Sequence, residues 1–405
     1  MNQNIKRAYL NFWQGLYRVF PRFQVNKDYC DVVTHIKTSS AHVFRGYYDI
    51  DYFDESHEKF LVHILPKAEE NGNCIQIGYY DLEKKEIVRL ADSKAWCWQQ
   101  GSRVRWFDAK TVIFNDCDED KYFSHKIDVL TKKTVGKYDA PLYDASFENK
   151  YGLSLNFSRL QRLRPGYGYK TLKDSTEGMI ASEDDGIFYV DLAQNMKKLI
   201  ISLSKLHNLA NPDLDGEDYI NHICISPKGD SFIFFYIVGD KAGKKSKVYL
   251  CWSDDNGSNV KILEDNVQTS HYTWLDNDKL LTTYLIPNQG MRQGYRLYDV
   301  RQKKVSEYGS NILTLDGHPT FIEKDIIITD TYPQVKQGNN QYLRLYDDQK
   351  HKLIDLGRFF QDVHYTGEKR CDLHPSICKD FVSVDTSCDG LRSVILLKRQ
   401  HRNDA

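Results

Sequence analysis

The sequence predicts an all-β fold: a seven-bladed β-propeller of four-stranded antiparallel blades, the last blade closed by an N-terminal strand. Three observations predict it. The first is a repeat. His222-Ile223-Cys224-Ile225, His271-Tyr272-Thr273-Trp274, His318-Pro319-Thr320-Phe321 and His374-Pro375-Ser376-Ile377 each start a short apolar strand, at steps of 49, 47 and 56 residues. The second is a recurring hairpin of alternating strand, lysine-bearing turn and alternating strand, found six times between Ile75 and Ile354. The third is an imbalance at the ends. Residues 392–398 form a single final strand, and Asp31 to Thr38 alternates like a strand with no neighbour in sequence. Pairing the two closes the ring and removes the exposed sheet edges.

The chain has 405 residues, a formal charge of −1, 13 % aromatics and 27 tyrosines. The balanced charge excludes a general nucleic-acid binder, which carries a basic excess. Nine cysteines occur without a CxxC pair, which points to free thiols in a reducing compartment. The longest apolar run, Phe232 to Val238, has strand length and falls far short of a membrane span. With no leader pattern visible, the expected location is cytoplasmic.

Residues 1–27 read as a separate segment ahead of a single propeller domain over 28–405. The segment holds Lys6, Arg7, Arg18, Arg22 and Lys27 and no acid. Its apolar residues, Ile5 to Phe23, fall near helical spacing. Two readings stand: a helix lying on the inner face of an anionic membrane, or one packed on the propeller. Blade one follows from Lys59, with its hairpin over Ile75–Leu82 and Glu86–Leu90. Later hairpins centre on Lys132-Lys133, Lys197-Lys198, Asp254–Gly257, Lys303-Lys304 and His351-Lys352.

Aligning the inner strands by an aromatic three residues on (Trp106, Phe147, Trp274, Phe321) gives one equivalent position per blade. It reads Asp49, Arg103, Asp144, His222, His271, His318, His374. Inner strands line a propeller's channel, so these side chains form a polar ring. Imidazoles with carboxylates suit a divalent metal such as Mn²⁺, Zn²⁺, Fe²⁺ or Ca²⁺ with mixed ligands. The competing reading is that each histidine stitches its blade to the next by hydrogen bonds.

The step from Asp144 to His222 is 78 residues, so the third unit carries an insertion. It contains Arg159, Arg162, Arg164, Tyr167 and Tyr169. Guanidinium forks match carboxylate and phosphate oxygens, so this loop suits an acidic sugar or a sugar diphosphate. A surface loop with blade-bridging arginines is the alternative. Trp98, Gln99 and Gln100, with Arg45 and Tyr48, add aromatic faces and polar groups of the kind a sugar site uses, or a core. Arg103, Arg159 and Asp144 are the candidate catalytic residues. His222, His271, His318, His374 and Asp372 are the candidate metal ligands.

Trp98-Gln99-Gln100-Gly101, Asn156-Phe157-Ser158-Arg159-Leu160, Arg164-Pro165-Gly166-Tyr167-Gly168-Tyr169, Asp316-Gly317-His318-Pro319, Thr329-Asp330-Thr331-Tyr332-Pro333 and Arg370-Cys371-Asp372-Leu373-His374-Pro375 resemble a propeller family of bacterial surface-polysaccharide loci, often loosely labelled glycosyltransferases. A more distant resemblance is to oligogalacturonate lyases, seven-bladed propellers that hold Mn²⁺ with histidines and a glutamine. Their His-Pro-His-Pro run corresponds here to Asp372-Leu373-His374-Pro375. His374 then matches the second histidine, Asp372 replaces the first, Lys369 replaces the glutamine, and His318 matches the histidine of the preceding blade.

These resemblances imply a metal-dependent enzyme acting on an acidic polysaccharide, oligosaccharide or sugar-diphosphate precursor, by lyase or transferase chemistry. A non-catalytic sugar-binding or scaffold propeller in a polysaccharide assembly complex is the reading from another class. The absence of a nucleotide-binding βαβ pattern weighs against an ordinary transferase.

Overall fold

The computed structural model describes residues 3–17, 19–286 and 292–400. Arg18, one of the basic residues of the N-terminal segment, lies outside them. Seven antiparallel sheets follow one another around a central channel. Their inner strands are, in order, Ala41–Phe44, Arg105–Asp108, Asp144–Ala145, Asp218–Ile225, Gln268–Trp274, Thr320–Glu323 and Ser376–Cys378. The predicted seven-bladed fold is the one observed.

The second strand of a blade is deeply buried because both its faces pack against neighbouring blades. Ser231–Gly239 shows the pattern: Phe232 to Val238 are all buried. The third strand ends in aspartate at the outer turn in several blades. Asp81, Asp128, Asp191, Asp299 and Asp347 each accept backbone N–H bonds from the following turn. This Asx geometry explains why the repeat reads as strand, aspartate, lysine pair, strand. The lysines simply occupy the exposed turn.

Ring closure is by the N-terminal chain. Cys30–Ile36 pairs with Ser393–Arg399 as the outermost strand of blade seven, with a bulge between Val32 and Thr34. The sequence boundary at residue 27 needs one correction. Phe23–Val25 pairs with residues 357–359 as a fifth strand on blade six. The propeller therefore takes in part of the segment set apart from it, because one extended chain covers the outer edges of two adjacent blades.

Among the described residues, three α-helices decorate the ring. α1 (Gln3–Leu16) lies against blade six. α2 (Phe157–Leu163) and α3 (Leu203–Ala210) belong to the blade-three insertion and its exit. No described helix is long and apolar enough to cross a membrane.

Candidate functional site

The segment Arg45–Asp49, which joins blade one's inner strand to the rest of its blade, crosses the channel and drops Tyr47 and Tyr48 into it. Gly46 makes this crossing feasible: its φ is +127°, and a Cβ there would lie 2.8 Å from the Gln100 carbonyl oxygen. The Tyr48 hydroxyl donates to the Tyr272 carbonyl at 2.8 Å and accepts the Tyr272 N–H at 3.0 Å. Fully buried Arg45 fixes the start of the segment through Asp385, Ser383 and the carbonyls of Leu373 and His374.

Above this tyrosine plug the four histidines converge. Ring centroids are 4.0 Å apart for His271 and His318, 4.3 Å for His318 and His374, and 6.2 Å for His222 and His271. Tyr47 stacks on His222 at 5.2 Å and meets His374 edge-on at 4.7 Å. His222 and His374 sit at positive φ, as does Arg103 at the equivalent position of blade two. Left-handed backbone is costly for such residues, so the same local bend recurring in three blades marks a built feature.

Three imidazoles share a further property. His271 Nδ1 donates to Asp316 at 3.1 Å, His318 Nδ1 to Asp330 at 2.9 Å, and His374 Nδ1 to the Gly46 carbonyl at 3.0 Å. Holding Nδ1–H in this way leaves each Nε2 with a lone pair that can accept a proton or a metal. The Nε2 atoms of His318 and His374 are buried without a hydrogen-bond partner, whereas that of His271 faces the Tyr332 hydroxyl at 3.5 Å. Asp330 serves two blades: one oxygen also takes the His318 N–H and the other takes the His374 N–H.

Electrostatics separate the members. Burial, reinforced by neighbouring charge, holds His222 and His374 well below the usual imidazole range. Burial and His318 also lower His271, against the opposing pull of Asp316. For His318 burial is outweighed by the Asp330 carboxylate, and its imidazole is lifted. Asp316 is driven down because His271 and its hydroxyl donors outweigh burial. Around the rings lie the buried carboxylates Asp330 and Asp372 and the half-buried Asp316; half-buried Arg370 holds Asp372 at 2.7 Å, and buried Arg45 holds the His374 carbonyl at 2.6 Å.

That donor set fits a divalent cation. Ligand atoms of His318, Asp372 and His374 lie within 4.8 Å of one another, and the Nε2 atoms of the two histidines are buried without a partner. His271 and His222 stand outside this triplet, so the structure divides the four predicted ligands.

The mouth above the cluster is formed by Tyr332, Tyr167, Arg370 and Arg164. Arg370 lies 4.9 Å over the Tyr332 ring, and Arg164 lies 5.3 Å from the Tyr167 ring. Arg164 is exposed and has no carboxylate within ion-pair distance among the described residues. It stands between the cluster and a cavity of about 530 Å³ that Tyr219, Lys244 and Lys245 also line.

Other candidates are committed to the scaffold. Arg103 forms a buried pair with Asp49 at 3.0 Å. Asp144 pairs with Arg105 and accepts the Ile225 N–H, and it faces the opposite mouth, where it lines a cavity of about 560 Å³. The single polar ring is therefore split in two by the tyrosine plug. Arg159, also buried, binds Asp218 and the carbonyls of Thr176 and Met179, which fastens the insertion to blade four. None of the three predicted catalytic residues has a donor or acceptor free toward the histidines, because each satisfies a neighbouring blade or loop.

Trp98, Gln99 and Gln100 are packed between neighbouring segments. Trp98 lies under Arg392, Gln99 bonds the Glu368 and Arg370 carbonyls, and Gln100 donates to the Tyr143 hydroxyl. Arg162 pairs with Asp174 and Glu217, and Tyr169 stacks on Phe157 inside the loop. Sequence reasoning assigned no role to Tyr47, Asp316, Asp330, Tyr332 or Arg370, which complete the site.

No family model matches the chain, and no curated protein matches it significantly. Solved structures do. An oligogalacturonate lyase from Vibrio parahaemolyticus aligns with a TM-score of 0.62 at 13 % identity, over 93 % of this chain and 96 % of that one. An oligogalacturonate lyase in complex with manganese aligns with a TM-score of 0.62 at 10 % identity, over 92 % and 96 %. At these identities the likeness establishes the shared propeller fold.

Proposed function

We propose that the protein is a divalent-metal-dependent carbohydrate-active enzyme that acts by lyase-type elimination on an acidic oligosaccharide or polysaccharide, in bacterial surface-polysaccharide metabolism. The observation that carries this reading is the pair of buried, partnerless Nε2 atoms of His318 and His374 beside Asp372. Burying an unsatisfied ring nitrogen costs about 1–3 kcal/mol, and here two such nitrogens belong to a triplet whose ligand atoms, a carboxylate oxygen included, lie within 4.8 Å of one another. The manganese complex of a lyase with the same fold supports it.

His318, His374 and Asp372 would hold the metal, which supplies Lewis-acid stabilisation of a uronate carboxylate when bound. Arg164, unpaired at the mouth, orients the substrate's acidic group, with Tyr167 fixing the guanidinium plane. Elimination begins with loss of the proton beside that carboxylate. His271 suits the base: burial keeps it neutral, Asp316 holds its Nδ1–H, and its Nε2 faces the mouth near Tyr332. It would take the proton as the bond to the leaving sugar oxygen breaks, and Tyr332, kept protonated by burial, would donate to that oxygen.

The test is metal analysis of the purified protein together with the ultraviolet absorbance of unsaturated uronate on acidic polysaccharides. We expect about one divalent ion per chain, with loss of metal and product in His318→Ala plus His374→Ala. A metal-free native protein that no divalent ion stabilises would overturn the metal reading. A metallated protein that yields no unsaturated product from any acidic polysaccharide would overturn the lyase step alone.

A further inference from the structure

α1 is anchored along one edge only. Tyr9 donates to the Lys336 carbonyl, Gln14 binds Asp362 at 2.5 Å, and Trp13 packs over Gly338 and onto Tyr17, which stacks on Phe360 at 4.4 Å. At 100° per residue, Ile5, Ala8 and Phe12 share the arc away from these contacts. Ile5 and Phe12 are 60 % and 62 % exposed, and Val19 and Phe20 continue the strip at 84 % and 55 %. Elsewhere on the described surface, large exposed apolar side chains occur singly or in adjacent pairs, which is ordinary. Four within sixteen residues, spaced along one helix and its exit, are not.

The chemistry beside the strip identifies what covers it. Lys6 and Arg7 are exposed and, among the described residues, have no carboxylate within ion-pair distance. No acid occurs in residues 1–27. A protein groove would take an apolar face bordered by either charge. A segment whose only charges are basic complements an anionic lipid headgroup layer, with its exposed apolar side chains reaching the acyl boundary.

Position adds a second argument. The loop 331–339 begins at Tyr332, over His271 and His318, and ends at the residues that hold α1. The helix and the mouth of the histidine cluster therefore lie on the same face of the propeller.

We propose that α1 seats the protein on an anionic bilayer surface with the mouth of the cluster turned toward the lipid. The inference stands independently of the chemistry at the cluster. The test is co-sedimentation of the full chain with phosphatidylcholine vesicles, with and without phosphatidylglycerol. We expect binding to the mixed vesicles only, weakened about tenfold or more by Phe12→Glu and by Lys6→Glu plus Arg7→Glu, at roughly fivefold per basic residue. Leu130→Glu, at another fully exposed apolar position, should bind as wild type. Hydrogen exchange on the vesicle should slow in 331–339 and stay unchanged around Phe147 at the opposite mouth. Failure of the native chain to bind, equal binding to neutral vesicles, or full binding by Phe12→Glu would each overturn the proposal. Protection at Phe147 instead of 331–339 would overturn the orientation. Thermal unfolding confirms that each variant is folded, and Lys6→Gln plus Arg7→Gln decides if Phe12→Glu is not.

Discussion

Asp330 shows how a single residue can set a site without facing it. Its two oxygens fix the His318 ring and the backbone N–H groups of two consecutive blades. Asp330→Asn keeps the shape and one accepting oxygen for His318, but it removes the carboxylate charge behind that ring and sets an amide NH2 against the His374 N–H. It should weaken metal affinity by roughly 10–100-fold with little loss of fold, read by competitive chelator titration beside thermal unfolding. His63 offers a second case, outside the site. It is fully buried between blades one and two, where its Nε2 accepts the Ser102 N–H at 3.0 Å. Gly101, at φ +57°, exists to admit it, since a Cβ there would sit 2.2 Å from the ring. Burial lowers His63 from 6.5 to about 4. The unfolded chain then takes up the proton first, so stability is present above about pH 6.5 and is lost as pH falls toward about 4. The loss should be on the order of 3 kcal/mol for this group, visible as a falling Tm across that window. His63→Gln should remove this group's share of the fall and leave the share carried by His35 and His42, which burial also lowers to about 4.

Among the elements, the blade-three insertion illustrates what the sequence could and could not convey. Its length and its arginines marked it as unusual. That Arg159 is buried was not legible, because its partner Asp218 lies 59 residues on and carries no local signature. A guanidinium suits a substrate carboxylate and a buried aspartate equally well, so residue type alone cannot choose. Asn156, by contrast, acts locally: as the N-cap of α2 its side chain accepts the Arg159 N–H three residues on. Arg159→Met should leave Asp218 as an uncompensated buried charge and cost about 3–5 kcal/mol. Pairing it with Asp218→Asn should recover much of that loss. Denaturant unfolding of the two variants separates this from a catalytic role, in which stability would be unchanged and only turnover lost. The histidine positions were legible for the opposite reason. They recur at one register of a repeat, and repetition converts a local residue into a spatial statement. Their Nδ1 partners escaped because Asp316 and Asp330 reach them from a connection and a second strand, at offsets that differ from blade to blade.

For the whole molecule, the decisive contact joins the chain's two ends. Cys30–Ile36 supplies the outer strand of blade seven, and Phe23–Val25 covers blade six on the way. The orphan strand in the sequence foretold the first of these, while three residues of Phe23–Val25 are too few to alternate visibly. Closure makes stability a property of the ring. Without the N-terminal strand, Ser393–Arg399 becomes a bare edge of apolar residues, Val394 to Leu397, all buried in the closed form. α1 has no such role, since none of its residues is buried. Two truncations therefore separate the anchor from the latch. Removing residues 1–16 should shift stability by no more than about 1 kcal/mol, because partly exposed contacts contribute little. Removing residues 1–38 should abolish a single cooperative transition and produce aggregates through the freed edge. Differential scanning calorimetry and size-exclusion chromatography measure both. Equal stability of the two truncations would mean that the blades hold one another without the latch, and that closure by the N-terminal strand is incidental to the fold.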